Sequence, residues 1–290
     1  MVEPVGFCSN PETQDDNVFQ HAEMKNVQEI QALAMAEFRD AAEVLSKAGV
    51  AVHCFRPDDA TTPDALFPNN WFSTHPDGTL VLYPMKAENR RRERRPEILQ
   101  FLKARYGHIL DLSSFETQVR FLEGTGSLVL DRDHRLAYAA ISERTDPELA
   151  ERWAKEMDYQ LYSFHTSDEF DRPYYHTNVV LSVAQQWAVW CPEVIPDGQE
   201  RQQIHTALVD SGKRIVELSR QQVNAFCANI LELENRDGRK LLAVSTTAWN
   251  AYSEQQRRQL AQSCEPLILR VPFIERTGGG GIRCMVAELY

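Results

Sequence analysis

Three residues carry the makings of covalent catalysis: Cys284, His176 and Glu123. Cys284 follows the run Gly278-Gly279-Gly280-Gly281-Ile282-Arg283. Four glycines remove side-chain bulk and let the backbone pass close to a ligand. Arg283 beside the sulfur favours a thiolate. The plainer alternative is a buried cysteine in a C-terminal strand. A thiolate nucleophile needs a partner that handles protons. His176, in Tyr175-His176-Thr177-Asn178, supplies an imidazole, and Glu123, in Leu122-Glu123-Gly124-Thr125-Gly126, supplies a carboxylate. Taken singly, the first also reads as a structural histidine and the second as a turn-stabilising acid. Together they are a nucleophile, a general acid/base and an orienting carboxylate, provided the fold makes them meet.

An internal repeat supplies that condition. Five places share small or polar residues followed by an apolar run: Pro68-Asn69-Asn70-Trp71-Phe72, Gly124-Thr125-Gly126-Ser127-Leu128, His176-Thr177-Asn178-Val179-Val180, Ala228-Asn229-Ile230-Leu231 and Arg283-Cys284-Met285-Val286. Registered on Asn70, Ser127, Asn178, Asn229 and Cys284, the steps are 57, 51, 51 and 55 residues. Between them, residues 26–48, 96–106, 146–157, 198–211 and 253–263 have helical apolar spacing, the first with Val27, Ile30, Leu33, Ala34, Phe38, Ala41, Ala42 and Leu45 on one face. Each is followed by an apolar stretch, at 50–55, 108–112, 160–164, 214–218 and 266–271. Each unit therefore reads as helix, strand, polar turn, strand. No such unit buries a core alone. Five packed about a common axis do, with the polar turns gathered near it; the alternative is an open α/β sheet with accidental spacing. No low-complexity linker interrupts residues 1–290, so the expectation is one α/β domain.

Composition narrows the partners. The 290 residues are 43% hydrophobic and 25% charged, with a formal net charge of −11, which disfavours nucleic acid and anionic membranes as partners. No apolar run approaches the ~20 residues of a membrane span. The N-terminus lacks a basic and apolar leader pattern. Cys8, Cys54, Cys191, Cys227, Cys264 and Cys284 show no C-x-x-C spacing, so neither a zinc site nor a disulfide framework is expected. The reading is a cytoplasmic protein with reduced thiols.

Several motifs together resemble the guanidino-group-modifying superfamily of arginine deiminases, dimethylarginine hydrolases and amidinotransferases, and most of all its citrulline-utilisation hydrolase branch. They are Phe67-Pro68-Asn69-Asn70-Trp71, Tyr83-Pro84-Met85, Asn89-Arg90-Arg91-Arg92-Glu93-Arg94, Leu122-Glu123-Gly124-Thr125-Gly126-Ser127, Ser142-Glu143-Arg144-Thr145, Tyr175-His176-Thr177-Asn178-Val179 and residues 278–288. The resemblance spans essentially the whole chain. It implies the pentein fold, a five-bladed α/β propeller of pseudo-fivefold ββαβ repeats. It also implies Cys284 as nucleophile, His176 as catalytic histidine, Glu123 as the acid of a Glu-Gly-Gly-Asp motif and Arg144 as a ligand of the substrate α-carboxylate. Arg90 is a second such ligand, with a register uncertain by one among adjacent arginines.

The departures from that family concern the substrate. Asn70, Asn178 and Gly126 stand where deiminases carry aspartates that hold a cationic guanidinium. A guanidinium prefers charge-assisted carboxylate contacts, whereas asparagine offers a neutral donor and acceptor. The substitutions point to a ureido group, as in citrulline, cleaved to ornithine, ammonia and carbon dioxide through a covalent cysteine intermediate without metal or organic cofactor. The expected partner is thus a small amino acid. Dimers and larger assemblies occur in the family, so a homodimer is an expectation, and a lid is expected around residues 64–67. The competing readings are an arginine deiminase or dimethylarginine hydrolase of the same fold, and a non-catalytic propeller that serves as a binding module.

Overall fold

One motif recurs four times along the chain: two antiparallel strands, a helix, and a third strand that returns parallel to the second. The computed structural model describes residues 1–23 and 25–290. The strands are β1 (Phe72–Thr74), β2 (Thr79–Leu82) and β3 (His108–Asp111); β4 (Leu128–Asp131), β5 (Leu136–Ala140) and β6 (Gln160–Phe164); β7 (Leu181–Val183), β8 (Trp187–Trp190) and β9 (Arg214–Glu217); and β10 (Leu231–Glu234), β11 (Lys240–Ser245) and β12 (Glu265–Leu269). They form four separate three-stranded sheets, each with the middle strand between its sequence neighbours. The register pairs Phe72 with Leu82, Leu128 with Ala139, Leu181 with Trp190 and Leu231 with Ala243.

The helices begin where the sequence provides caps. Helix α1 (Val27–Lys47) starts at Asn26, whose side chain accepts from the Glu29 amide. It buries Ile30, Ala34, Phe38, Ala41 and Leu45 of the expected stripe, while Val27 and Leu33 lie exposed and Ala42 is half-buried. Helices α2 (Pro96–Lys103) and α3 (Pro147–Met157) open on proline, whose missing N–H costs nothing there. Helix α4 (Gly198–Asp210) is capped by Asp197, and α5 (Glu254–Ala261) by a Ser253–Gln256 capping box. A further helix, α6 (Pro272–Gly278), leads into the glycine run. Trp153 of α3 is fully buried against β4 and β5 neighbours such as Leu128 and Ala137. Truncating such a residue to alanine costs about 3–5 kcal/mol. No helix among the described residues is long and apolar enough to cross a membrane.

Two sequence expectations need correction. The units hold three strands, as in the ββαβ repeat the resemblance implies, rather than the two read from the residues, because the middle strands are short and buried on both faces and so lack an alternating pattern. The stretch 50–55 forms no strand; it contributes a single parallel bridge from Phe55 to Val2. The fifth unit, shared between the two ends of the chain, therefore has no sheet, and no closed sheet is formed among the described residues.

The polar turns gather as the repeat requires. Most are single helical turns before the first strand of a sheet: Pro68–Asn70, Gly124–Ser127 and Thr177–Val179, with Ile282–Met285 in the fifth unit. Asn69 Nδ2 donates to Thr125 Oγ1 at 3.3 Å, and Thr177 Oγ1 donates to the Ser127 carbonyl. Asn229 Nδ2 donates to the Asn178 carbonyl at 3.2 Å, and the Gly281 amide donates to Asn229 Oδ1 at 3.1 Å. The Ile282–Met285 turn in its turn packs on Pro68–Asn70. Each turn thus touches the next, and the side chains they carry share one buried centre.

Candidate active site

Cys284 lies in the Ile282–Met285 turn and is 3% exposed. The glycine run reaches it by passing against other elements rather than beside open space. Gly279 sits at φ +64°, and a Cβ there would lie 2.6 Å from Asn17. The sulfur receives two amide donors, Asn229 Nδ2 at 3.3 Å and Asn178 Nδ2 at 3.5 Å. Burial pushes the thiol pKa up, and these amides only partly oppose it. The resting group is a thiol, which corrects the thiolate expected from Arg283. That guanidinium turns away to Glu288 and the Val286 carbonyl, at 3.0 and 3.2 Å.

His176 and Glu123 meet as the repeat predicted. Nε2 of the ring lies 2.9 Å from Glu123 Oε2, and both side chains are buried. Because an ionised carboxylate only accepts, Nε2 carries the proton and Nδ1 is left open. Burial lowers the His176 pKa, against the pull of Glu123, so the ring is neutral near pH 7. Burial would raise the Glu123 pKa, but Arg144, His176 and Arg90 overcome it and hold the carboxylate ionised. Its second oxygen accepts from the Lys86 amide at 3.0 Å.

The two asparagines are fixed in orientation. Arg90 Nη1 donates to Asn70 Oδ1 at 2.8 Å, which leaves Asn70 Nδ2 buried without a partner. Asn178 is the converse: Nδ2 faces sulfur, and its Oδ1 is the buried atom without a partner. Gly126 has no room for any side chain here. A Cβ would lie 2.5 Å from Asn70 Nδ2 and 2.6 Å from His176 Nδ1. The centre thus presents one unused donor and one unused acceptor beside a neutral imidazole. Unpaired buried polar atoms are costly, and these two converge beside the sulfur and the imidazole, where a ligand would satisfy them.

The arginines divide their work. Arg90 is fully committed, with Nε and Nη2 on Glu93 at 2.8 and 3.1 Å and Nη2 also on the Phe67 carbonyl. Arg90 therefore has every nitrogen engaged and none free for a substrate carboxylate, which corrects its expected role, and its neighbour Arg91 binds the carbonyls of Met85 and Lys86. Arg144 lies 3.5 Å from Glu123, with its guanidinium over the Tyr175 ring, and forms a fork–fork pair with Asp16. The expected lid segment, residues 64–67, is buried rather than covering. Asp64 and Leu66 are 3% and 0% exposed, and residues 10–17 bind over Asp64 through Asn10 and Thr13.

Sequence reasoning missed Asn229, Asp64 and Asp16 as parts of this centre. Asn229 stands at a registration point of the repeat, which places its turn beside that of Cys284 but does not show that its amide faces the sulfur.

A family model described as N,N dimethylarginine dimethylhydrolase, eukaryotic, matches residues 3–290. The chain belongs to this family. The family's description is that of a hydrolase rather than of a binding module. Solved structures agree on the fold. The apo arginine dihydrolase ArgZ of the cyanobacterial ornithine-ammonia cycle superposes with a TM-score of 0.75 at 15% identity over 98% of this chain. This dimethylarginine dimethylhydrolase family member spans only 39% of that longer ArgZ chain. The substrate-bound N-terminal domain of ArgZ alone is covered to 95%, again with a TM-score of 0.75, at 15% identity over 98% of this chain. The enzyme called DDAH from Pseudomonas aeruginosa, complexed with citrulline, gives 0.66 at 15% identity, covering 96% of this chain and 94% of its own. No curated protein matches the chain.

Proposed function

We propose that this family member hydrolyses the ureido group of citrulline to ornithine, ammonia and carbon dioxide, within a five-bladed propeller of ββαβ units whose fifth blade is reduced. One observation carries the choice of substrate. Arg90 consumes Asn70 Oδ1, so Asn70 turns a donor towards the catalytic histidine. A urea carbonyl accepts that donor, while a guanidinium has only donors to offer. Asn178 Oδ1 takes a ureido N–H. Arg144 takes the α-carboxylate, and Arg90 acts as a positioning residue through Asn70.

In this scheme substrate arrives at a neutral thiol and a neutral imidazole. The Cys284 proton passes to His176 Nδ1 as sulfur bonds to the ureido carbon, and ionised Glu123 stabilises the imidazolium formed. The terminal C–N bond breaks, His176 returns the proton to the departing ammonia, and a thiocarbamate remains on Cys284. Water deprotonated by His176 then attacks the same carbon and releases sulfur. The resulting carbamate decomposes to ornithine and carbon dioxide. The chain's own side chains suffice for each step. A homodimer in the cytoplasm remains part of this proposal.

A second reading, arginine or a methylated arginine as substrate, is favoured by one atom. Asp64 Oδ1 is buried without a partner and suits a cation. In the citrulline scheme it takes the α-ammonium. Incubation with citrulline, arginine and dimethylarginine separately, with assay of ornithine, citrulline and amine, decides between them. Ornithine from citrulline is expected; citrulline from either arginine would reverse the order.

A further inference from the structure

The guanidinium assigned to the substrate carboxylate is already holding a carboxylate. Arg144 Nε donates to Asp16 Oδ2 at 3.1 Å, and Nη2 donates to Asp16 Oδ1 and, at 3.3 Å, to the Thr13 carbonyl. This is the two-pronged geometry in which an arginine takes an α-carboxylate. Lys86 Nζ adds a second cation to Asp16, at 2.7 Å, and also pairs with Glu143. Asp16 is only partly buried, and a cavity of about 200 Å³ lies outside it, lined by Asp15, Ser142, Glu143, Arg144 and Tyr175 among others. The other anchors of its segment are hydrogen bonds rather than ion pairs: Asn10 and Thr13 on Asp64, Asn10 and Glu12 on Asn89, and Asn17 on the Gly278 carbonyl at 3.3 Å.

We propose that Asp16 is a specificity-determining residue that occupies the α-carboxylate subsite until a free amino acid exchanges for it. This rests on the reading of Arg144 given above. The exchange is one carboxylate for another, so the buried guanidinium is never left unpaired. A ureido compound lacking the α-carboxylate has nothing with which to displace Asp16, and the segment at residues 10–17 stays closed over the centre. Discrimination thus comes from a competing group within the chain, in addition to the contacts made by the correct substrate.

The test compares the parent with Asp16→Asn on citrulline and on its decarboxylated analogue, 4-ureidobutylamine. With the competitor removed, KM for citrulline falls about tenfold and kcat/KM for the analogue rises, because the segment no longer stays closed against it. Asp16→Glu, which keeps a competing carboxylate, retains a KM close to the parent value. Hydrogen exchange of residues 10–17 rises in Asp16→Asn without ligand, and rises in the parent when ornithine is added. An unchanged or raised KM for citrulline in Asp16→Asn overturns the proposal. So does parent exchange that ignores ornithine, a readout that needs no folded variant. If the parent consumes arginine instead of citrulline, the same comparison with arginine and agmatine tests Asp16, and only the ureido reading falls.

Discussion

Two buried polar clusters in this molecule look alike in composition and differ in how well they are satisfied. The first contains Ser73, His75, Tyr83, Arg132, Arg283 and Glu288. Ser73 Oγ bonds His75 Nε2 at 2.9 Å and Tyr83 Oη at 2.7 Å, Arg132 Nη1 bonds His75 Nδ1 at 3.2 Å, and Arg283 pairs with Glu288. Burial and then Arg132 push the His75 pKa down to about 3, so its ring stays neutral as a fixed acceptor. The second contains Cys284, His176, Glu123, Asn70, Asn178 and Asp64. There Asn70 Nδ2, Asn178 Oδ1 and Asp64 Oδ1 are buried with no partner. Closed networks hold a fold together, whereas open valences in the same kind of setting describe a ligand. Cys284 and its neighbour Arg283 belong to different clusters, which is why the arginine does not ionise the thiol.

The sharpest way to break this comparison is at His176. His176→Ala removes the proton carrier of the open cluster and should lower kcat by about 10²–10⁴-fold, with a stability loss of about 1–3 kcal/mol as Glu123 loses its partner and no loss of folding. A loss of folding in circular dichroism instead would make the histidine structural, like His75. At Asn70 the expected effect is smaller and more informative. Asn70→Asp replaces the donor by an acceptor and should cut kcat/KM for citrulline by about 10–100-fold, with arginine gaining relative to it. Equal losses on both substrates would remove the orientation argument.

The resting state makes its own prediction. Burial holds the Cys284 thiol pKa above the usual thiol range, against the pull of the Asn229 and Asn178 amides. Iodoacetamide alkylation of Cys284 in the free protein should therefore rise about tenfold per pH unit between 7 and 9 without levelling off, since the thiolate is the nucleophile. A plateau reached below pH 7 would mean a standing thiolate. Least of all for catalysis, His75→Ala should leave kcat intact and destabilise the fold by about 1–3 kcal/mol, because Ser73 and Arg132 lose their partner. Denaturant titration alongside the kinetic assay separates the two quantities.

Much of the candidate site was legible because the repeat is. Asn70, Ser127, Asn178, Asn229 and Cys284 stand at comparable places in their turns, so a count of residues placed distant side chains together. The same count did not show that Asn229 touches sulfur, since spacing identifies a turn but not which way its amide points. Asp16 left no trace in the sequence. It lies in an aperiodic stretch near the N-terminus, and its partner Arg144 is 128 residues away. The bridge at Phe55 shows the opposite failure: an apolar run that promised a strand found no antiparallel neighbour to complete a sheet.

The proposed substrate choice is tested most directly by the mass of the group trapped on Cys284 when the protein is quenched during turnover of citrulline. The expected adduct is citrulline less ammonia, a thiocarbamate confined to the peptide that carries Cys284, with ornithine accumulating in solution. An unmodified Cys284 with citrulline, together with an arginine-derived adduct and citrulline as product, would contradict it.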